Sequence, residues 1–278
     1  MAWWRRTWLK LRARVRPVPE IPSSLWLHVL QRHPFLQALS LEEKSKLRAL
    51  SALFLHNKQF SGANGLVVDD RMALTIAAQA CVPLLYRGDA SRAIALYDDF
   101  VGIVVHPGTM VATRDVHEGA GLVSQRRMML EGEAMERGPV TLSWAAIDQN
   151  PTAQAERGTS VVIHEFCHKI DMRNGGADGY PALPAGFLGI QAAAEARKAW
   201  EHTWTQAFEQ FRHAITKAER FGETAPWLDA YGATAPAEFF AVACEAFFVN
   251  RGRFAHEWPQ LDRMLAGLFH WPTPPLHL

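Results

Sequence analysis

Cysteine is scarce in this chain. Cys81, Cys167 and Cys244 are spread over 278 positions. An odd, widely spaced set excludes a disulfide framework and makes a reducing compartment the default. There is no run of about 18 uncharged apolar residues, so no transmembrane helix is predicted. Net charge is nearly absent, +1 at pH 7, while 49% of residues are hydrophobic. That balance excludes intrinsic disorder over most of the chain and argues against nucleic acid as a direct partner. The sequence also lacks internal repeats and low-complexity tracts. Its start, MAWWRRTWLKLRARVRPVP, lacks the unbroken apolar core of a signal peptide, because Arg5, Arg6, Lys10, Arg12, Arg14 and Arg16 interrupt it. A cytoplasmic location is the expectation.

Charge is unevenly placed. Residues 1–16 carry basic side chains and no acid, which leaves the rest mildly acidic. Trp3, Trp4, Trp8, Leu11 and Val15 recur at helical spacing. Such a face packs on the protein's own body or, as the alternative, lies peripherally on an anionic membrane. Pro17, Pro19 and Pro22 then mark a boundary. The expected organisation is a basic, Trp-rich segment over 1–20 followed by one domain over 21–278. That domain has a helical part to about residue 98 and a core from about 99 to 278.

Residues 40–56 predict a helix, with Ser40 as N-cap and Glu43 completing a capping box. Residues 71–86 predict a buried helix. FVGIVVHP, MVATRDVH, GLVSQRRMML and GPVTLSW read as short strands between Gly and Pro signals. Helices are expected again at about 158–173, 188–216, 235–249 and 257–268. Clustered strands flanked by helices indicate a mainly helical α+β fold with a small sheet rather than alternating βαβ units.

The chemistry is concentrated in SVVIHEFCHKID, residues 160–171, where His164-Glu165-Phe166-Cys167-His168 forms H-E-x-x-H. On a helix, positions i and i+4 share a face one turn apart. Two imidazoles so placed can bind one zinc ion, with the Glu beside the metal to polarise a water. Zinc brings the pKa of such a water towards about 7. Independent placement of this chain's histidines and glutamates gives the motif in about one chain in thirty. The surrounding Val161, Val162, Ile163 and Phe166 make an idle His-Glu-His cluster costly to bury.

A zinc peptidase site needs a third protein ligand and an open fourth position. The H-E-x-x-H-x-x-G-x-x-H arrangement is rejected, because Asp171 stands where Gly is required and Asn174 where His is required. A later helix, within DAYGATAPAEFFAVACEAFF at 229–248, offers Glu238 and Glu245. Seven residues apart, they share a face two turns apart. Zinc and the far nitrogen of a ligand His would satisfy such buried carboxylates.

HEFCHKIDMRNG followed by DAYGATAPAEFFAVACEAFF resembles the Mlc titration factor A (MtfA) family of zinc-dependent peptidases, chiefly over residues 120–250. The resemblance implies a zincin-like metallopeptidase binding one zinc ion per chain. His164, His168 and Glu238 would be the ligands, and Glu165 the general base and proton shuttle. Tyr231 matches a family tyrosine that is also similar to one in the catalytic domain of anthrax lethal factor, where it stabilises the tetrahedral intermediate. Glu245 would be a carboxylate behind the ligands. Aminopeptidase-type hydrolysis of peptides is implied, and so is binding of a transcriptional repressor of the Mlc type. A regulatory protein that sequesters a transcription factor, with incidental peptidase activity, is the alternative.

Several residues stand outside this set. Cys167 reads as a small buried residue. Asp171, one turn past His168, reads either as a second carboxylate behind a ligand His or as a helix-end acid. His106 and His117, in or near predicted strands, read as ordinary surface histidines. The Gly/Pro-rich stretch 175–189 has the composition of a mobile loop over the cleft.

Overall fold

The computed structural model describes residues 18–118 and 122–272, with side chains for all of these except 111–118 and 122–130. The Trp-rich face over residues 1–16, its membrane alternative and the side chain of His117 lie outside that description.

The chain begins with helices α1 (Ser23–Arg32), α2 (Pro34–Gln37) and α3 (Leu41–Asn57), then strand β1 (Gln59–Gly62). Helices α4 (Asp70–Cys81) and α5 (Ala90–Ile94) lead to β2 (Gly102–His106). Next come β3 (Met110–Glu118), β4 (Leu122–Leu130), β5 (Gly132–Ala134) and β6 (Val140–Ser143). The remainder is helical: α6 (Trp144–Ile147), α7 (Pro151–Arg157), α8 (Val161–Asp171), α9 (Ala193–Phe221), α10 (Pro236–Val249), α11 (Arg251–Glu257) and α12 (Pro259–Phe269). The result is a mainly helical α+β fold. No helix among the described residues is long and apolar enough to cross a membrane.

The four-stranded sheet has the order β1-β2-β6-β5, and β3 with β4 forms a separate antiparallel ribbon. β1 and β2 pair in parallel, as do β2 and β6, whereas β5 runs antiparallel to β6 with Gly132 opposite Leu142. The parallel connection from β1 to β2 runs through α4 and α5 as a βαβ unit, although the strand clustering pointed away from such units. β1 and β5 escaped the sequence reading because QFSG and GEA carry no apolar alternation. Their neighbours create them instead: Gln59 N donates to Val101 O at 2.9 Å, and Ser143 N donates to Glu131 O at 2.7 Å.

The capping box of α3 is present. Glu43 N donates to Ser40 Oγ at 3.1 Å and Ser40 N to Glu43 Oε2 at 2.6 Å. The helix expected at 71–86 ends as α-helix at Cys81 and continues as a 3₁₀ turn, Val82–Leu84, where Pro83 removes a donor. The helix expected at 188–216 is displaced to Ala193–Phe221, because the loop with Pro184, Gly186 and Gly189 delays its start.

Two packings hold α8. On one side Phe166 sits among Phe54, Tyr97 and Phe100, with ring centroids 5.4, 5.0 and 5.9 Å away. On the other, α8 packs against α10, whose outer face meets the stacked pair Trp200 and Trp204 through Phe240. Lys169 of α8 is 0% exposed. Its Nζ donates to Asp99 Oδ2 at 2.6 Å and to Met135 O at 3.0 Å, tying α8 to the turn before β2 and to the end of β5. Removing one partner of a buried ion pair strands the other in a poorly solvated place. Lys169→Ala is expected to lower unfolding stability by roughly 3 kcal/mol, read as a shift of the urea midpoint; an unchanged midpoint would contradict this role.

Candidate metal centre

Ser160 starts α8. Its Oγ accepts from Ile163 N at 3.2 Å, so the helix begins where two later positions, His164 and His168, face α10. Pro236 occupies the first turn of α10, where its missing N–H costs nothing, and Glu238 follows on that turn. The two helices bring three donors together. His164 Nε2 and His168 Nε2 are 3.2 Å apart, and Glu238 Oε2 lies 3.0 and 3.2 Å from them. One ligand atom from each of His164, His168 and Glu238 falls within 4.8 Å of the others.

Behind them stands Glu245. Its Oε1 accepts from His164 Nδ1 at 2.8 Å and its Oε2 from Ser160 N at 2.5 Å. With Nδ1 committed to Glu245, the Nε2 lone pair of neutral His164 would point at the Glu238 carboxylate. That contact is repulsive unless a proton or a cation lies between them. Two nitrogens and one oxygen converging in this way fit a divalent cation with an open position.

Burial and charge set the protonation states. Burial lowers the His164 pKa, but the Glu238 and Glu245 carboxylates outweigh it and hold the imidazole well above 6.5. Burial raises Glu238, yet the His164 and His168 rings carry it below the ordinary carboxylate range. Burial pushes Glu245 up against the pull of His164. Glu165, 4% exposed, is likewise pushed up by burial, with both histidines opposing.

Asp171 is fully buried, but it does not face His168 through a hydrogen bond among the described residues. Its Oδ2 accepts from Asp178 N at 2.9 Å and Gly179 N at 2.7 Å, while Oδ1 and the Nδ1 of His168 have no hydrogen-bond partner among the described residues. Burial brings Asp171 up to about 6. Gly179 has φ +82°, and a Cβ there would lie 2.6 Å from Pro236 O. Its carbonyl accepts from Trp200 Nε1 at 3.1 Å. The start of the 175–189 stretch is thus tied to α8 and α9 and lies close against the first turn of α10, and Ala177 is its member that lines the cleft.

The donors open into a cleft of about 670 Å³, bordered by Glu131, Gly132 and Glu133 of the β5 side and by Asp229 and Tyr231 opposite. Asp229 Oδ1 accepts from Tyr231 N at 2.9 Å, and the Tyr231 ring centroid lies 6.0 Å from that of His164. Cys167 is buried beside Cys244 of α10 and does not line the cleft. His106 does not border the cleft.

The sequence reading passed over Gln79. It lies buried on α4, and its Oε1 accepts from Ser160 Oγ at 2.7 Å. Its Nε2 is 3.5 Å from Nε2 of His33, which burial lowers to about 4. An amide alone within the apolar run MALTIAAQAC was the available signal.

The Glu238 and Glu245 carboxylates favour the protonated form of His164 in the absence of a cation, and that proton must leave on coordination. Metal uptake by the metal-free protein at pH 7 is expected to release about one proton per ion, with less release at alkaline pH once His164 is already neutral. Calorimetry in two buffers of different ionisation enthalpy measures this; equal heats in both at pH 7 would refute it.

The sequence pattern of the family described as "Glucose-regulated metallo-peptidase M90" matches residues 1–270. "Mlc titration factor A" of Escherichia fergusonii is 34% identical over 229 residues, 82% of this chain and 79% of the relative. The proteins of the same name from Cronobacter sakazakii and Salmonella paratyphi B are 34% and 33% identical over the same 82% of this chain and 79% of their own lengths.

Proposed function

Given that the chain belongs to the glucose-regulated metallo-peptidase M90 family, we propose that it is a zinc-dependent peptidase of aminopeptidase type. The observation that carries this reading is the convergence of His164, His168 and Glu238 beside the buried Glu165. Zinc is favoured because two imidazoles and one carboxylate suit it. When bound there it would supply Lewis-acid polarisation and a nucleophilic water available near neutral pH.

The chain's own residues do the rest. His164, His168 and Glu238 hold the ion. Glu245 keeps the proton of His164 on Nδ1 and so leaves Nε2 free for coordination. Glu165 takes the proton from the attacking water, which its elevated pKa favours, and returns it to the leaving amine. Tyr231, across the cleft, donates its hydroxyl to the developing oxyanion. Glu131, Glu133 and Asp229 around the cleft suit the α-ammonium group of a peptide. The three free cysteines suit a reducing, cytoplasmic setting.

A second reading is favoured by the relatives' name, "Mlc titration factor A": a regulatory protein that binds a transcriptional repressor of the Mlc type. A binder has no need of Glu165, so Glu165→Gln separates the readings by keeping repressor affinity while losing turnover.

For the peptidase, Glu165→Gln is expected to lower kcat by about 10²–10⁴ with metal content unchanged in elemental analysis. Glu238→Ala is expected to lose the metal, and retention would disqualify Glu238 as ligand. Tyr231→Phe is expected to lower kcat about a hundredfold with little change in KM. Peptides with free and acetylated N-termini test the aminopeptidase type; equal cleavage of both would exclude it.

A further inference from the structure

We propose that Gly132 is the positioning residue for the Glu165 carboxylate, an inference that rests on the peptidase reading above. β5 lies against α8. A Cβ built on Gly132 would stand 2.5 Å from Oε1 of Glu165, 2.6 Å from its Cγ and 2.8 Å from its Cδ. Ordinary contacts between carbon atoms sit at about 3.5–4.0 Å. The glycine is therefore required by what it faces. Its φ lies outside the left-handed region, so an alanine there meets a steric obstacle and no backbone strain.

The contact matters because, among the described residues, the base lacks the hydrogen bonds that hold its neighbours. Glu238, Glu245 and Asp171 are each tied by hydrogen bonds. Among the described residues no hydrogen bond reaches the Glu165 carboxylate, although the residue is buried. β5, by contrast, is anchored at both ends: Glu131 O accepts from Ser143 N at 2.7 Å and Met135 O from Lys169 Nζ at 3.0 Å. Between an anchored strand and an untethered carboxylate, an added methyl displaces the carboxylate. The metal donors, on the α10 side of α8, stay where they are. Gly132 thus fixes the base by shape alone and leaves all its lone pairs for the reaction.

The test combines Gly132→Ala with Glu165→Ala in a double-mutant cycle. In urea unfolding of the metal-free proteins, Gly132→Ala alone is expected to lower the midpoint relative to the wild type. Added to Glu165→Ala, whose shorter side chain leaves room for the methyl, it is expected to leave the midpoint equal or higher. In the full enzyme, Gly132→Ala is expected to lower kcat about a hundredfold, with KM within about twofold and metal content unaltered. Gly102→Ala, whose Cβ would meet only Pro139 Cβ at 3.5 Å, serves as the neutral control on the same sheet. Equal midpoint shifts in both backgrounds, or wild-type kcat in Gly132→Ala, would overturn the proposal. Should Gly132→Ala fail to fold, folding of the double variant supports the contact and failure of both overturns it. A wild type without peptidase activity would sink the peptidase reading, and the unfolding cycle would still decide the contact.

Discussion

The site depends on a buried carboxylate that grips the start of one helix and an imidazole of the same helix. Glu245 accepts from Ser160 N and from His164 Nδ1, and it reaches both from α10. Burying a carboxylate is unfavourable unless its lone pairs are met, so this pair of bonds fixes how α10 lies along α8. Once that register is set, Glu238, two turns earlier on α10, has one place to go: the other nitrogen of the same ring. A single imidazole is thereby held at both nitrogens by one helix. The third donor, His168, follows from the helical repeat. Ser160 belongs to the same arrangement, because Gln79 holds its hydroxyl from α4.

Much of this was legible in the sequence and some was not, for physical reasons. His164, Glu165 and His168 lie within five residues, and helical geometry alone brings the two imidazoles together. Glu238 and Glu245 were visible as two acids in an otherwise apolar helix, a pattern that burial makes expensive without partners. Their division of labour was not visible, since either carboxylate could have faced either nitrogen. The resemblance to the family assigned Glu238 to the metal and Glu245 to a place behind the ligands, and in the structure Glu245 Oε1 accepts from His164 Nδ1. Gln79 and Gly132 escaped because their importance comes from residues 81 and 33 positions away, and nothing local in MALTIAAQAC or LEGEA reports it. β5 escaped for the same reason: a strand made by its neighbours has no alternation of its own to read. Asp171 was seen as an acid of consequence, but its hydrogen bonds run to the loop at 178–179 and not to a histidine.

The restraints within the centre are unevenly shared. The three proposed ligands and Glu245 sit in a net of close polar contacts, backed by aromatic packing around Phe166 on one side and by Trp200, Trp204 and Phe240 on the other. Such a net resists movement, which suits groups whose task is to hold geometry. The proposed base is restrained differently. Glu165 is buried, raised in pKa by that burial, and positioned by packing against β5.

That difference follows from what each group must do. A ligand that keeps one partner throughout gains from every additional hydrogen bond, because each one narrows its position without opposing its role. A proton carrier changes partner during the reaction, and a hydrogen bond donated to it by the protein would stabilise its ionised form and lower its affinity for the proton it must accept. Steric confinement has no such preference: a glycine backbone excludes the wrong positions of a carboxylate equally in its charged and neutral forms. Packing can therefore orient Glu165 while burial, left unopposed by donors from β5, keeps its proton affinity high. The edge strand supplies that confinement because its own position is secured from outside the cleft, by β6 and by Lys169. The ion pair deep under α8 and the open chemistry at its surface are in this way parts of one arrangement.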